Sequence, residues 1–288
     1  MKISEIINSG KISISFEVFP PKAWQSLEET RNVVSKMTEL SPSFMSVTCR
    51  SGSSIDYTAA VASAVVAGGV PSLAHLTCYS SDMRGVDETM RLLSSEGIDN
   101  ILALRGDPPT DGSEIRTDFA HASDLTAYIK AHGDFCVGGA CYPDAHPEST
   151  SYDMDIEYLK MKEDAGADFL TTQMFFDNNI YYAFRYRMLK AGIKIPVIAG
   201  IMPITKKSQV FRSAQLSGSP MPRRVLSMAD KFGDNPAAMR QAGIAYAEEQ
   251  IVDLLSNGVN HIHIYTMNSP ETVGAIMSGL SEIIKERA

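Results

Sequence analysis

Glu17 lies in "ISISFEVFPPK", where Ile12, Ile14, Phe16 and Val18 alternate with Ser13, Ser15 and Glu17. The two-residue period reads as a strand with an apolar face and a carboxylate on the other, just ahead of a double proline. On a strand facing water that carboxylate is ordinary. Inside a closed barrel it is a buried acid, and a carboxyl stripped of water keeps its proton into the range where a general acid works. Other short runs carry polar groups at their ends: "SVTCRSGSS" has Thr48, "AHLTC" has His75, and "ALRGDPP" has Arg105 and Asp107. "ACYPDAHPE" has Tyr142 and His146, "TTQMFFD" has Gln173, and "HIHIYTMN" has Tyr265. Each run has a plainer reading. "RGDPP" is good turn chemistry by itself, and a single His75 or His146 can be structural. Gln173 suits a ligand or a structural role equally. His261 and His263 share one strand face as a metal pair would, but no third ligand follows at metal-site spacing. "DIEYLKMK" puts Asp155, Tyr158 or Leu159, and Lys162 along one helical face, where solvated charge is the default.

The elements that must position these groups alternate regularly. Strand-like runs fall at 12–19, 43–49, 71–77, 100–105, 135–142, 168–174, 196–202 and 261–266. Helix-length amphipathic runs fall between them, near 26–40, 56–68, 84–96, 122–132, 153–165, 179–191, 206–216 and 236–257, with a last one at 270–286. "SLEET" from Ser26 is a capping start, and Gly97, Gly133, Gly166 and Gly192 stand where helices end. Eight strands, each followed by helix, predict a parallel sheet, and eight repeats in this length fit a (β/α)8 TIM-type barrel over residues 1–288 as one domain. An open doubly wound sheet is the competing architecture, but no G-x-G-x-x-G follows any strand. The stretch 203–260 is long and contains the breaker cluster "SGSPMPRR", which predicts extra helical structure between strands seven and eight. In a barrel, all the strand ends named above converge on one mouth.

The 288 residues are 44% hydrophobic and 21% charged, with net charge −8 and no basic run. That composition argues against a nucleic-acid or anionic-membrane surface. The start lacks the apolar core of a signal peptide, and no window approaches an apolar span of about 18–20 residues, so a cytoplasmic protein is expected. Cys49, Cys78, Cys136 and Cys141 form no C-x-x-C and read as reduced thiols in or near strands.

The runs, taken together, resemble methylenetetrahydrofolate reductase in its short bacterial form. "SFEVFPPK", "SVT", "HLTC", "ALRGDPP", "YPDAHPE", "TQMFFD", "GIMPI" and "YTMNSPE" are similar to that family's motifs and follow in its order over nearly the whole chain. The resemblance implies an FAD-bearing barrel that reduces 5,10-methylenetetrahydrofolate to 5-methyltetrahydrofolate by ping-pong hydride transfer, with NADH or another donor, possibly a partner protein. It implies Glu17 as the catalytic acid and Asp107 as an aspartate near flavin and pterin. Gln173 and Gln209 would contact folate, and Thr48 and Gln173 the nicotinamide. The FAD-holding positions would be Cys49, Ser51, His75, Arg105, Gly106, Asp107, His121, Ala122, Tyr142, His146, Asp155, Tyr158 and Lys162, with Lys162 a point charge for the diphosphate. A homo-oligomer is also implied.

The chain departs from the family pattern in places. Cys49-Arg50 replaces Tyr-Gly, His121 replaces a tyrosine, Ser213 a stacking phenylalanine, and Ser269 an arginine. Phe211 cannot substitute for the lost ring, because two residues is about 200° around a helix. A non-redox folate methyltransferase or lyase on the same barrel, or a flavin- or folate-binding subunit of a larger complex, are the alternatives. Bound flavin separates the first of these from a reductase.

Overall fold

Strand β1 (Ser13–Val18) is buried along its whole length in the computed structural model. An alternating strand can be so only if both faces are covered. Ile14, Phe16 and Val18 pack outward into the main apolar cluster. Burial of each such side chain contributes about 1.5–3 kcal/mol. Ser13, Ser15 and Glu17 turn inward, and that inside face exists because the sheet closes. The structure describes residues 1–21, 26–49, 55–80, 82–107, 117–218 and 220–285.

The chain opens with helix α1 (Ile3–Ile7) and continues through β1, α2 (Leu27–Thr38), β2 (Met45–Val47), α3 (Ile55–Ala67) and β3 (Ser72–Thr77). Then come α4 (Met83–Ser95), β4 (Asn100–Leu104), α5 (Ala122–His132), β5 (Cys136–Cys141), α6 (Tyr152–Asp164), β6 (Phe169–Thr172), α7 (Asn178–Lys190) and β7 (Val197–Ile201). Three helices follow, α8 (Lys207–Ser217), α9 (Arg223–Phe232) and α10 (Pro236–Ser256), before β8 (His261–Tyr265) and α11 (Pro270–Gly279). Every strand pairs in parallel with the next, and β8 returns to β1 to close an eight-stranded barrel. In that register Glu17 stands beside Ser46 on one side and Tyr265 on the other. The eight strands fall where the sequence predicts them, and the barrel excludes the open sheet.

The differences are local. The strands are shorter than the apolar runs, so Thr48 and Gln173 fall just beyond β2 and β6 rather than within them. Between β7 and β8 the helices expected near 206–216 and 236–257 are α8 and α10, and the extra helical structure is α9. Ser26 caps α2 as expected: its hydroxyl accepts from Glu29 N at 3.1 Å, and the Glu29 carboxylate accepts from Ser26 N at 3.2 Å. Gly97, Gly166 and Gly192 take the left-handed conformation after their helices, whereas Gly133 is extended.

Helix α1 is too short to leave a periodic signal and was not expected. Its Ile3, Ile6 and Ile7 pack with Phe44, Leu73, Leu102, Cys136, Phe169 and Ile198, a second apolar cluster in the barrel's floor. Ile3 N donates to Asn100 Oδ1 at 2.8 Å, which fixes the helix to β4. The barrel interior is thus hydrocarbon at the floor and polar toward the mouth. Cys78, Cys136 and Cys141 are buried thiols, and no disulfide forms among the described residues. No helix of the described residues is long and apolar enough to cross a membrane.

Candidate active site

A cavity of about 1240 Å³ opens at the C-terminal ends of the strands. Single-ligand pockets are usually about 300–1,000 Å³, so this one is larger than one ordinary ligand requires. Its lining includes every site residue expected from the sequence except Ser51, which lies outside the described residues together with Arg50.

Glu17 is deepest. It is 8% exposed, and its Oε2 lies 3.9 Å from His75 Nε2 and 4.0 Å from His263 Nε2. Those separations alone would suit ion pairs, but desolvation argues otherwise. Burial raises the Glu17 carboxyl from 4.5 to about 8 and pushes both imidazoles down to about 3. Near neutrality the trio is therefore one protonated carboxyl between two uncharged rings. His263 and His261 are held by serines: Ser13 Oγ is 2.9 Å from His261 Nδ1, and Ser15 Oγ is 2.8 Å from His263 Nδ1.

Two buried polar atoms on this wall have no hydrogen-bond partner among the described residues, Thr48 Oγ1 and His75 Nε2. Burying an unpaired polar group costs about 1–3 kcal/mol, so such atoms mark a place where a ligand completes the bonding. Gly106 adds a close-approach point after β4. Its φ is +86°, and a Cβ there would sit 3.0 Å from Thr77 Cβ, so glycine keeps the backbone open to the cavity. Asp107 follows it at the exposed rim. The two acids of the site therefore occupy opposite settings, one dry and one hydrated.

Arg105 is neither a plain turn residue nor idle. Its guanidinium donates to both carboxylate oxygens of Glu148, at 2.6 and 2.9 Å, and lies 5.8 Å from the Tyr79 ring centre. Tyr142 is packed edge-on to His146, with ring centres 4.7 Å apart. Burial raises the Tyr142 phenol, and a hydrogen bond from Gln173 works against that rise. Gln173 Oε1 accepts from Met174 N at 2.9 Å. His146 Nδ1 accepts from Glu148 N at 3.1 Å, which leaves Nε2 as the protonated nitrogen of the neutral ring.

Helix α6 corrects the expectation of a solvated charged face. Asp155 is buried, and its Oδ1 accepts from His146 N at 3.2 Å and Ser149 Oγ at 2.8 Å. A loop crosses that face and covers it. Lys162 also points inward, with Nζ donating to Ala140 O at 2.6 Å, and burial lowers its pKa. Tyr158 is exposed at the rim, and Leu159 is buried. On α8, Gln209 Oε1 is committed to the helix start, accepting from Thr205 N and Lys206 N at 2.8 Å each, so its amide NH₂ is the half left for a ligand. Ser213 is 2% exposed on the cavity wall, while Phe211 is 73% exposed and outside it. Phe211 and Ser213 therefore stand on different faces of α8. His121 starts α5 with its N–H donating to Asp124 Oδ2 at 2.9 Å, and Ala122 is buried beside it. Cys49 stands partly exposed after Thr48. Ser269 caps α11, accepting from Thr272 N at 3.4 Å.

Sequence reasoning missed Glu148 and the role of His263. Glu148 stands inside the quoted "YPDAHPE", and its signal was only its nearness in sequence to His146. His263 was legible as an inward-facing residue, but not as a neighbour of Glu17, because that contact spans the seam where the barrel closes.

This is a (β/α)8 barrel protein whose mouth sets a dry acid below a hydrated one and carries basic and unpaired polar groups suited to an anionic, hydrogen-bonding ligand. The chain belongs to the methylenetetrahydrofolate reductase family, whose sequence model matches residues 2–281. It is similar to methylenetetrahydrofolate reductase 2 of Saccharomyces cerevisiae, 38% identical over 285 residues, covering 93% of this chain and 48% of that protein. The 5,10-methylenetetrahydrofolate reductase of Escherichia coli is 34% identical over 270 residues, covering 93% of this chain and 90% of that one. The chain thus spans about half the length of its maize, yeast and Arabidopsis relatives. Among solved structures, a Clostridium thermocellum protein that binds two copies of 5-methyl-5,6,7,8-tetrahydrofolic acid superposes with TM-score 0.71 over 98% of both chains. At 15% identity that likeness speaks to the fold.

Proposed function

We propose that this protein reduces 5,10-methylenetetrahydrofolate to 5-methyltetrahydrofolate, using FAD as resident cofactor and NADH or another reductant as donor. The observation that carries the reading is Glu17: a carboxyl that burial keeps protonated to about pH 8, on the inner wall of a cavity of about 1240 Å³. The residues present fit FAD. Thr48 Oγ1 and His75 Nε2 lack partners, Gly106 leaves its backbone open, and Arg105 and Lys162 supply positive charge for a diphosphate. Tyr142, His146, Asp155, Tyr158, His121, Ala122 and Cys49 complete that side of the wall. Bound there, FAD would supply hydride transfer between the donor and folate.

The chain's own residues do the rest. Opening the five-membered ring of the folate requires a proton on the departing nitrogen, and Glu17 holds one at working pH. The ring-opened folate is an iminium cation, and the carboxylate of Asp107 at the rim lowers its energy. Gln173 and the free amide half of Gln209 are available to orient the pterin, and Thr48 and Gln173 the nicotinamide. One carboxyl acting as acid and another as anion follow from their separate environments.

Stopped-flow measurement of the two half-reactions of the FAD-loaded protein tests this. Glu17→Gln should slow folate reduction at least about 100-fold, the usual scale for losing a general acid, and leave donor oxidation nearly unchanged. Equal loss in both halves would make Glu17 a structural carboxyl. A purified protein that is colourless and takes up no FAD would favour a non-redox lyase or transferase instead.

A further inference from the structure

Beneath Glu17 the serine hydroxyls decide a tautomer. Ser15 Oγ lies 3.1 Å from Ile262 O and 2.8 Å from His263 Nδ1. A hydroxyl has one proton, and a carbonyl oxygen can only accept, so Ser15 donates to Ile262 O and accepts from Nδ1–H. The neutral His263 ring then carries no proton on Nε2, which accepts from Ser46 Oγ at 3.2 Å. This assignment satisfies three contacts. The opposite tautomer satisfies two and leaves the Ser15–Ile262 contact unmade. The ring cannot easily turn, because it is stacked on Phe44 at 6.1 Å and meets Tyr265 edge-on at 5.5 Å. Its unprotonated Nε2 also lies 4.0 Å from Glu17 Oε2 in buried space.

We infer that His263 is a positioning residue for the Glu17 proton: Ser15 locks its tautomer so that an unprotonated nitrogen, not an N–H, lies beside the carboxyl and disfavours the carboxylate. A lone pair is the negative end of the imidazole dipole, and in a dry interior its repulsion of an anion is little screened. An N–H at the same position would do the reverse and favour ionisation. The other titratable groups facing Glu17 are His75 on β3 and Tyr265 on β8. Tyr265 is committed, donating to Thr172 O at 2.6 Å, and His75 is an uncharged ring whose Nε2 has no fixed partner among the described residues. His263 is therefore the neighbour whose polarity the fold sets. The inference rests on Glu17 being the acid of the proposed reaction, but its test reads the carboxyl itself.

The test is NMR on the full-length, FAD-loaded protein, with 15N-labelled histidine and 13C-labelled glutamate, Glu17→Gln assigning the Glu17 signal. The wild type should show His263 protonated at Nδ1. Ser15→Ala, a small change, removes the acceptor of that proton. His263 should move to the Nε2–H form, and the Glu17 midpoint should fall by about one pH unit, tenfold in the acid-to-carboxylate ratio. Ser46→Ala leaves the lock in place and should not lower the midpoint. The alkaline limb of folate reduction should shift with Ser15→Ala in step with the carboxyl. An Nε2–H signal in the wild type, or a Glu17 midpoint that both serine variants leave unmoved or lower alike, overturns the inference. A midpoint shift by Ser15→Ala alone, in a protein whose Glu17→Gln form still reduces folate, supports the positioning and removes Glu17 from the reaction.

Discussion

Replacing Glu17 with glutamine should shift the stability of the fold by an amount that becomes more favourable as pH rises. The carboxyl ionises at its ordinary 4.5 in the unfolded chain and at about 8 in the barrel, and burial is the cause. Below pH 4.5 both states hold the proton, and the group contributes no pH dependence. Between 4.5 and 8 the unfolded chain releases the proton while the folded one keeps it, so the unfolded state binds fewer protons and stability falls as pH rises. Each pH unit in that window is worth about 1.4 kcal/mol, which sums to about 5 kcal/mol by pH 8. Glutamine has nothing to release in either state. The difference between the variant and the wild type should therefore rise from under about 1 kcal/mol of this term at pH 5 to about 4 kcal/mol at pH 7.5. Urea unfolding of both proteins at the two pH values, with matched slopes, measures it. The constant offset from swapping an acid for an amide cancels between the two pH values. An increment that is flat with pH, or that shrinks as pH rises, would refute the claim that Glu17 is buried as a neutral acid. His75 and His263 lean the other way: their lowered values make stability fall as pH drops from 6.5 toward 3, a window that leaves the pH 7.5 comparison untouched.

Glu148→Gln breaks the two-pronged pair with Arg105 and frees the guanidinium for phosphate. FAD should then bind severalfold tighter in a fluorescence-quenching titration, whereas weaker binding would mean that Glu148 holds Arg105 in its working position. Gly243→Ala should cost at least about 2 kcal/mol and lower the melting temperature by about 4 °C or more, because the new Cβ would sit 1.9 Å from Ile204 O. An unchanged melt would show that α10 can move away. Wild-type NADH oxidation should have a KM above about 1 mM, outside the common range, because the buried Ser213 offers no flat surface on the cavity wall. Ser213→Phe should bring it down in steady-state assays, and a low wild-type KM would end that reasoning.

Much of this site was legible because a parallel barrel converts sequence order into convergence. Eight strand-like runs with intervening helices were enough to send Glu17, His75, Arg105 and Gln173 to one mouth. What periodicity cannot report is what covers a helix. Asp155 and Lys162 looked like a solvated stripe, and a loop from β5 with the barrel wall buries them. Side-chain pairs between distant loops are equally silent, as with Arg105 and Glu148. Helix α1 escaped because five residues do not make a period. His263 escaped because its partners on β1 and β2 lie more than 200 residues away in the chain.

Hydrocarbon closes the barrel beneath Glu17: Ile3, Ile6 and Ile7 of α1 sit against Phe44, Leu73, Leu102, Phe169 and Ile198. The cavity opens at the mouth, and the acid would be loaded and unloaded by that route. A folate lying over the flavin would then act as a stopper on its own proton supply. In the proposed reaction Glu17 would be a single-shot reservoir during each visit, giving once and refilling after the product has left. The order of events at the mouth would be enforced by plumbing, and a folate that arrives before the reservoir has refilled would wait.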